Sequence, residues 1–124
     1  MEKIVLDTNV LIEILKGNQN TIKKIHSLKA NFYISAISIM ELFYGALNKQ
    51  ELKKIEQFVA LFNKIEIDEE ISKQATTLIK TYAKSHALDI PDSIIAATAL
   101  SKNAILFTYN IKDFRYIKNI TLLQ

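Results

Sequence analysis

The chain carries near its N-terminus the stretch Ile4-Val5-Leu6-Asp7-Thr8-Asn9. The apolar run predicts a buried strand, and the polar residues after it predict a turn into a helix. In open α/β proteins, ligands bind outside the carboxyl ends of the strands, where residues such as Asp7 lie. We therefore expect Asp7 at the edge of a sheet, in a functional site.

Three further segments place polar side chains where a strand would end or a helix would begin: Ser38–Leu42, Pro91–Ala97 and Thr108–Phe114. Their candidate site residues are Glu41, Asp92, Asn110 and Asp113. If these residues meet Asp7 in space, they form a site of oxygen ligands alone. Such a site suits Mg²⁺ or Mn²⁺ and indicates phosphodiester chemistry.

The first two acids also have ordinary structural roles. Asp7 has the position of a helix N-cap, which is worth about 1 kcal/mol. Ser38 and Glu41 have the spacing of a capping box, in which Glu41 accepts from the backbone N–H of Ser38. Taken alone, Asp7 fits either role, whereas the spacing around Glu41 favours the cap.

The later candidates have structural alternatives as well. Asp92 follows Pro91 in a predicted first helical turn, where proline is favoured and the helix dipole stabilises an acid. Asn110 and Asp113 follow an apolar strand and suit an Asx-type turn. Taken together, the candidates favour a metal site, because neighbouring carboxylates repel one another and raise one another's pKa unless a divalent cation binds between them.

The remaining pattern predicts the fold class. Apolar runs predict strands over residues 3–7, 32–34, 64–68, 104–107 and 120–123. Helical spacing predicts helices over residues 8–16, 19–29, 37–47, 50–62, 69–86 and 91–102. Strands separated by helices predict a three-layer α/β/α fold with a mostly parallel central sheet. We expect residues 1–124 to form a single domain.

Composition narrows the class of protein. The chain has no cysteine, which excludes a disulfide framework and thiolate-bound metal. It lacks the apolar runs of a signal peptide or a membrane helix, so we expect a cytoplasmic protein with no membrane association. The net charge is +3, and without the four candidate acids 16 basic side chains face nine acidic ones, or +7. A basic surface around an acidic pocket suits a polyanion, although a solvated lysine-rich surface explains the charge equally well.

Other kinds of site lack their motifs. There is no glycine-rich nucleotide loop, and no Gly-x-Ser-x-Gly motif accompanies the serines. The two histidines, His26 and His86, lie far apart without ligand spacing. We expect both to be surface or structural residues.

Four segments resemble the motifs of the PIN domain family, and more narrowly of VapC-type toxin nucleases. They are Val5–Ile12, Ser35–Gly45, Asp92–Leu100 and Leu106–Phe114. The opening motif alone has little specificity, but four motifs in order within one short chain are specific. The resemblance extends from residue 4 to about residue 123.

The resemblance implies a parallel sheet covered by helices and a Mg²⁺- or Mn²⁺-dependent endoribonuclease that hydrolyses RNA. It also implies a cognate antitoxin protein that blocks the site, and a homodimer. Asp7, Glu41 and Asp92 would be the metal-site acids. Thr8, Asn9, Ser38 and Thr108 would support them.

The fourth acidic position of the family falls on Asn110, which is a departure from the pattern. An amide oxygen ligates without charge, so either Asp113 compensates or one of two metals binds weakly. Alternative functions are a catalytically silent PIN-like module that binds RNA or protein, a PIN nuclease that processes RNA without an antitoxin, and a metal-dependent phosphatase.

Overall fold

A four-stranded parallel sheet forms the centre of the molecule, with the strand order β3-β2-β1-β4. The computed structural model describes residues 1–124. The strands are β1 (Glu2–Leu6), β2 (Ala30–Ser35), β3 (Asn63–Ile65) and β4 (Ile105–Phe107). The helices are α1 (Thr8–Leu15), α2 (Gln19–Ser27), α3 (Ala36–Tyr44), α4 (Lys49–Val59), α5 (Glu69–His86) and α6 (Ile90–Ser101). A short 3₁₀ helix covers Ile111–Asp113.

Helices cover both faces of the sheet, because the strand side chains alternate between two apolar clusters. Ile4 and Leu6 of β1 pack with residues of α1, α3 and α4 on one face. Val5 packs on the other face with residues of α5 and α6. The predicted three-layer α/β/α architecture is therefore confirmed. No helix is both long enough and apolar enough to cross a membrane.

The strand order reverses at β1. The chain passes from β1 outward to β2 and β3, and β4 then returns to the other side of β1. Leu6 pairs with Phe107, and the backbone N–H of Asp7 donates to the Phe107 carbonyl at 2.9 Å. Such a reversal leaves a crevice at the carboxyl ends of the two strands, which is where ligands bind in this architecture.

Two predicted strands are shorter than expected. The strand predicted over 64–68 ends at Ile65, because the next residues lead into α5 and Asp68 caps that helix by accepting from the Ile71 N–H at 2.8 Å. The segment 120–123 forms only one parallel bridge, between Leu106 and Leu122. In residues 64–68 the alternation of polar and apolar residues continues past the residues that pair with β2.

The buried β4 residue Leu106 provides a test of the core. Its side chain is 0% exposed, whereas Leu61 is 78% exposed. Leu106→Ala should lower the free energy of unfolding by about 2–5 kcal/mol, since it leaves a cavity between the sheet and α6. Leu61→Ala should change it by less than about 0.5 kcal/mol. Urea denaturation measures both, and equal losses would contradict this assignment of the core.

Candidate active site

Asp7 is the buried centre of the site. Its carboxylate, in a residue 4% exposed, caps α1 by accepting from the Thr8 N–H at 2.8 Å through Oδ1. The Thr108 hydroxyl donates to Oδ2 at 2.7 Å. The two roles considered for Asp7 are therefore compatible, because one oxygen caps the helix while the residue stands at the carboxyl edge of the sheet.

Glu41 lies inside a helix, and the predicted capping box is wrong. Helix α3 begins after Ser35, whose hydroxyl accepts from the Ile37 N–H at 3.2 Å, so Ser38 is already helical. The Glu41 carboxylate instead accepts from the Thr8 hydroxyl at 2.7 Å. Ser38 Oγ lies 2.8 Å from the same hydroxyl oxygen. Glu41 is thus linked to the residue that follows Asp7.

Asp92 lies in the first turn of α6, as the sequence predicts. The helix begins at Ile90, and the cap is Asp89, whose Oδ1 accepts from the Asp92 N–H at 2.9 Å. Asp89 is not among the site residues predicted from the sequence. Its signal was an acid two residues before Pro91, the arrangement of an N-cap ahead of a proline in the first turn.

Thr108 organises the loop after β4. Its buried hydroxyl accepts from the Asn110 N–H at 3.0 Å and from Asn9 Nδ2 at 3.4 Å. Asn9 Oδ1 in turn accepts from the Tyr109 N–H at 3.2 Å. The Asx-type turn that the sequence left open for Asn110 is not formed, because Asn110 makes no side-chain cap and the threonine makes the turn.

The candidate acids interact electrostatically with one another. Burial is the main cause that raises the pKa of Asp7, with smaller contributions from the charges of Glu41 and Asp113. Burial also raises the pKa of Asp92 to about 7, followed by the charges of Asp89, Asp7, Asp113 and Glu41. No basic side chain offsets these charges, since all four ion pairs involve other acids.

The donor set fits a hard cation, although the side chains are not drawn together into a finished metal centre. No three His, Cys, Asp or Glu side chains lie close enough to form a preformed metal-binding group. The site nevertheless combines carboxylate, hydroxyl and amide oxygens with uncompensated negative charge. That chemistry matches Mg²⁺ or Mn²⁺, which carboxylates and water ligate in proteins.

Comparison with known proteins identifies the family. The family model of the PIN domain matches residues 4–119. The chain therefore belongs to the PIN domain family.

Its relatives are nucleases by name. The protein "Ribonuclease VapC1" of Rickettsia felis is 30% identical over 128 aligned positions, which cover 97% of this chain and 94% of the relative. The "tRNA(fMet)-specific endonuclease VapC" of Shigella flexneri is 28% identical, covering 94% and 93%. Among solved structures, VapBC2 from Rickettsia felis bound to a promoter DNA fragment superposes with a TM-score of 0.84 at 28% identity, covering 98% of this chain and 97% of that one.

The Thr108–Asp7 hydrogen bond can be tested by substitution. Thr108→Val keeps the shape of the side chain but removes the donor to a buried carboxylate. We expect a loss of about 1.5–3 kcal/mol in the free energy of unfolding at pH 7 in EDTA. The exposed Thr76→Val is the control. In a double-mutant cycle with Asp7→Ala, which removes the acceptor, absence of coupling would show that the bond does not contribute.

The acid cluster predicts a pH dependence of stability in metal-free protein. Because the pKa of Asp92 is raised from 3.8 to about 7 in the folded state, folding binds protons in this interval. The contribution of Asp92 to stability is therefore present below pH 4 and lost as the pH rises through about 7. Asp92→Asn should gain melting temperature relative to the wild type as the pH rises from 4 to 8 in EDTA. A constant difference across that range would contradict the prediction.

Proposed function

We propose that this protein is a Mg²⁺- or Mn²⁺-dependent endoribonuclease and the toxin of a type II toxin–antitoxin pair. The observation that carries the proposal is the set of unpaired carboxylates at the carboxyl ends of β1 and β4, in a chain that belongs to the PIN family. Relatives across nearly the whole chain are named ribonucleases, which supports RNA as the substrate. On this proposal residues 1–124 form one such domain.

Asp7, Asp92 and Glu41 are the proposed metal ligands. A cation held by these residues would supply Lewis-acid chemistry, which would make water a better nucleophile and offset the negative charge that develops at the phosphate. The Thr108 and Thr8 hydroxyls hold the carboxylates of Asp7 and Glu41 through bonds of 2.7 Å each. These bonds fix the orientation of the acids, which is the role of polar groups around a metal site.

Asp113, rather than Asn110, is the better candidate for the fourth acidic position. Its charge contributes to raising the pKa of both Asp7 and Asp92, so it lies within their field. The Asn110 side chain carries no charge and makes no cap, and only its backbone N–H contacts Thr108. We propose that Asp113 supplies the charge and that Asn110 shapes the turn.

Protein partners follow from the same proposal. Solved relatives include VapBC complexes from Rickettsia felis and Haemophilus influenzae and a toxin–antitoxin complex from Klebsiella pneumoniae. Beside Glu41, the apolar side chains of Met40 and Tyr44 are 54% and 94% exposed. Exposed apolar surface next to a site indicates a protein contact. We propose a cognate antitoxin, a homodimer and a cytoplasmic location.

Cleavage of RNA is the direct test. Purified protein, freed of any antitoxin, should cut a mixed cellular RNA pool with Mg²⁺ or Mn²⁺ and lose that activity in EDTA. Asp7→Asn and Asp92→Asn should each lower the rate by at least about 100-fold, because each removes charge from the metal site. Asp68→Asn, in an exposed helix cap away from the site, is the matched control.

The outcomes separate the alternative functions. Full activity in both site variants would overturn the site assignment. A folded protein that binds RNA or protein without cutting would be a silent PIN-like module. Turnover of a simple phosphate ester without RNA cleavage would indicate a phosphatase. RNA cleavage by a chain encoded without a neighbouring antitoxin gene would indicate RNA processing.

The fourth position has its own test. Asp113→Asn should lower the cleavage rate by about 10-fold or more, because it removes a charge from the field around the metal. Asn110→Ala keeps the backbone N–H that contacts Thr108 and should lower the rate by less than about threefold. Rates measured at saturating Mn²⁺ compare the two, and the reverse order would place the fourth function on Asn110.

A further inference from the structure

Three aromatic side chains form a stack at the end of α5. The His86 and Tyr116 rings lie parallel, with centroids 4.1 Å apart and an interplanar angle of 10°. Tyr82 packs edge-on against both rings, at 5.7 Å from His86 and 5.1 Å from Tyr116. These three residues, called here the aromatic stack, join the last turn of α5 to the segment after the 3₁₀ helix.

The aromatic stack borders the acidic site. His86 precedes Asp89 by three positions, and Tyr116 follows Asp113 by three. The negative charges of Asp92, Asp113 and Asp89 add to burial in raising the pKa of the Tyr116 phenol, so all three acids act on that ring. The segment between α5 and α6 thus connects His86 to Asp89, and the segment after the 3₁₀ helix connects Asp113 to Tyr116.

His86 is held in place and yet remains open to solvent. Tyr116 covers one face of the imidazole, and Ser85 Oγ lies 2.8 Å from His86 Nδ1. Tyr82 is anchored in turn, because its hydroxyl accepts from the Lys118 N–H at 3.2 Å. His86 is nevertheless exposed, whereas Tyr82 and Tyr116 are half-buried. A planar ring fixed in this way loses little conformational freedom when another ring stacks on it.

Three basic side chains lie close in sequence to the stacked rings. Lys84, Arg115 and Lys118 are exposed and take part in none of the ion pairs of the protein. They are neighbours in sequence of the stacked rings. An exposed aromatic ring flanked by unpaired basic side chains is the combination by which proteins bind single-stranded nucleic acid, the ring taking a base and the cations taking the phosphates.

We propose that His86 stacks an unpaired base of the RNA substrate beside the scissile phosphodiester, on a platform completed by Tyr116 and Tyr82. This subsite rests on the proposed ribonuclease function and adds to it a residue that binds the substrate. Stacking tolerates any base, because each has an aromatic face. His86 therefore positions an unpaired nucleotide without choosing its identity, and the enzyme favours single-stranded segments over duplex.

A purely structural stack and a base-binding stack predict different results for variants of His86. If the rings only fasten α5 to the C-terminal segment, loss of the imidazole changes stability but not substrate binding. His86→Phe keeps an aromatic face and removes the ring nitrogens, so it separates stacking from hydrogen bonding by the imidazole. An abasic substrate separates base stacking from a purely structural role. His26→Ala is the matched control, because His26 is exposed on α2 and is the only other histidine.

The experiment measures cleavage of a fluorescein-labelled single-stranded RNA taken from a fragment junction in the cellular pool. His86→Ala should raise KM by about 10-fold with little change in kcat, as expected for loss of one stacked base. His86→Phe should stay within about threefold of the wild type, and His26→Ala should not differ from it. Replacing the stacked nucleotide by an abasic one should raise the KM of the wild type by about as much. It should leave the KM of His86→Ala unchanged.

Each result decides the question. Wild-type kinetics in His86→Ala, or equal losses in His86→Ala and His86→Phe, would overturn the base-stacking role while leaving the nuclease intact. Sensitivity of His86→Ala to the abasic substitution at the wild-type level would also overturn it. If the wild type cuts no RNA, the proposed function fails separately. Fluorescence anisotropy with a fluorescein-labelled single-stranded RNA of mixed sequence, which needs no cleavage, then decides the stack: equal Kd values for the wild type and His86→Ala would overturn it.

Discussion

The burial of one carboxylate, that of Asp7, is the constraint on which the site depends. A buried charge is costly unless it is paired or hydrogen-bonded, and Asp7 has no basic partner. Its two hydrogen bonds come from the Thr8 backbone and the Thr108 hydroxyl, which fix β1, α1 and the loop after β4 against one another. The geometry of the crevice therefore follows from the need to satisfy this one group.

The other acids add a second constraint of the same sign. Asp92 carries a pKa raised by burial and by four neighbouring carboxylates, so the metal-free site holds unfavourable charge. Repulsion of this kind is characteristic of functional sites, where a loss of folding stability accompanies the ability to bind a ligand. Two threonine hydroxyls hold Asp7 and Glu41 in spite of it. A divalent cation would relieve the repulsion, which links the electrostatics to the proposed chemistry.

The periodicity of the sequence predicts the layers and most helices, because burial requires apolar residues at regular spacing. Helix α5 has the predicted bounds, and Asp7 and Asp92 stand where the apolar runs placed them. The failures occur where local spacing allows two hydrogen-bond arrangements. Ser38 and Glu41 have capping-box spacing, yet Ser35 caps the helix and Glu41 bonds to Thr8. Asp89 is a local cap of Asp92 whose signal was the acid before Pro91, whereas the stack of His86 on Tyr116 depends on a contact between distant segments, which spacing does not encode.

The bond between Thr108 and Asp7 joins residues 101 positions apart. During synthesis the strand that bears Asp7 is made well before β4 and its threonine. A nascent chain therefore carries the first acid of the site long before it can complete the crevice, and β1 lacks its second neighbouring strand until then. For a protein proposed to destroy cellular RNA, this order of assembly delays activity until β4 and the loop that follows it have been made. The fold thus separates, in time, the making of the enzyme from its first opportunity to act.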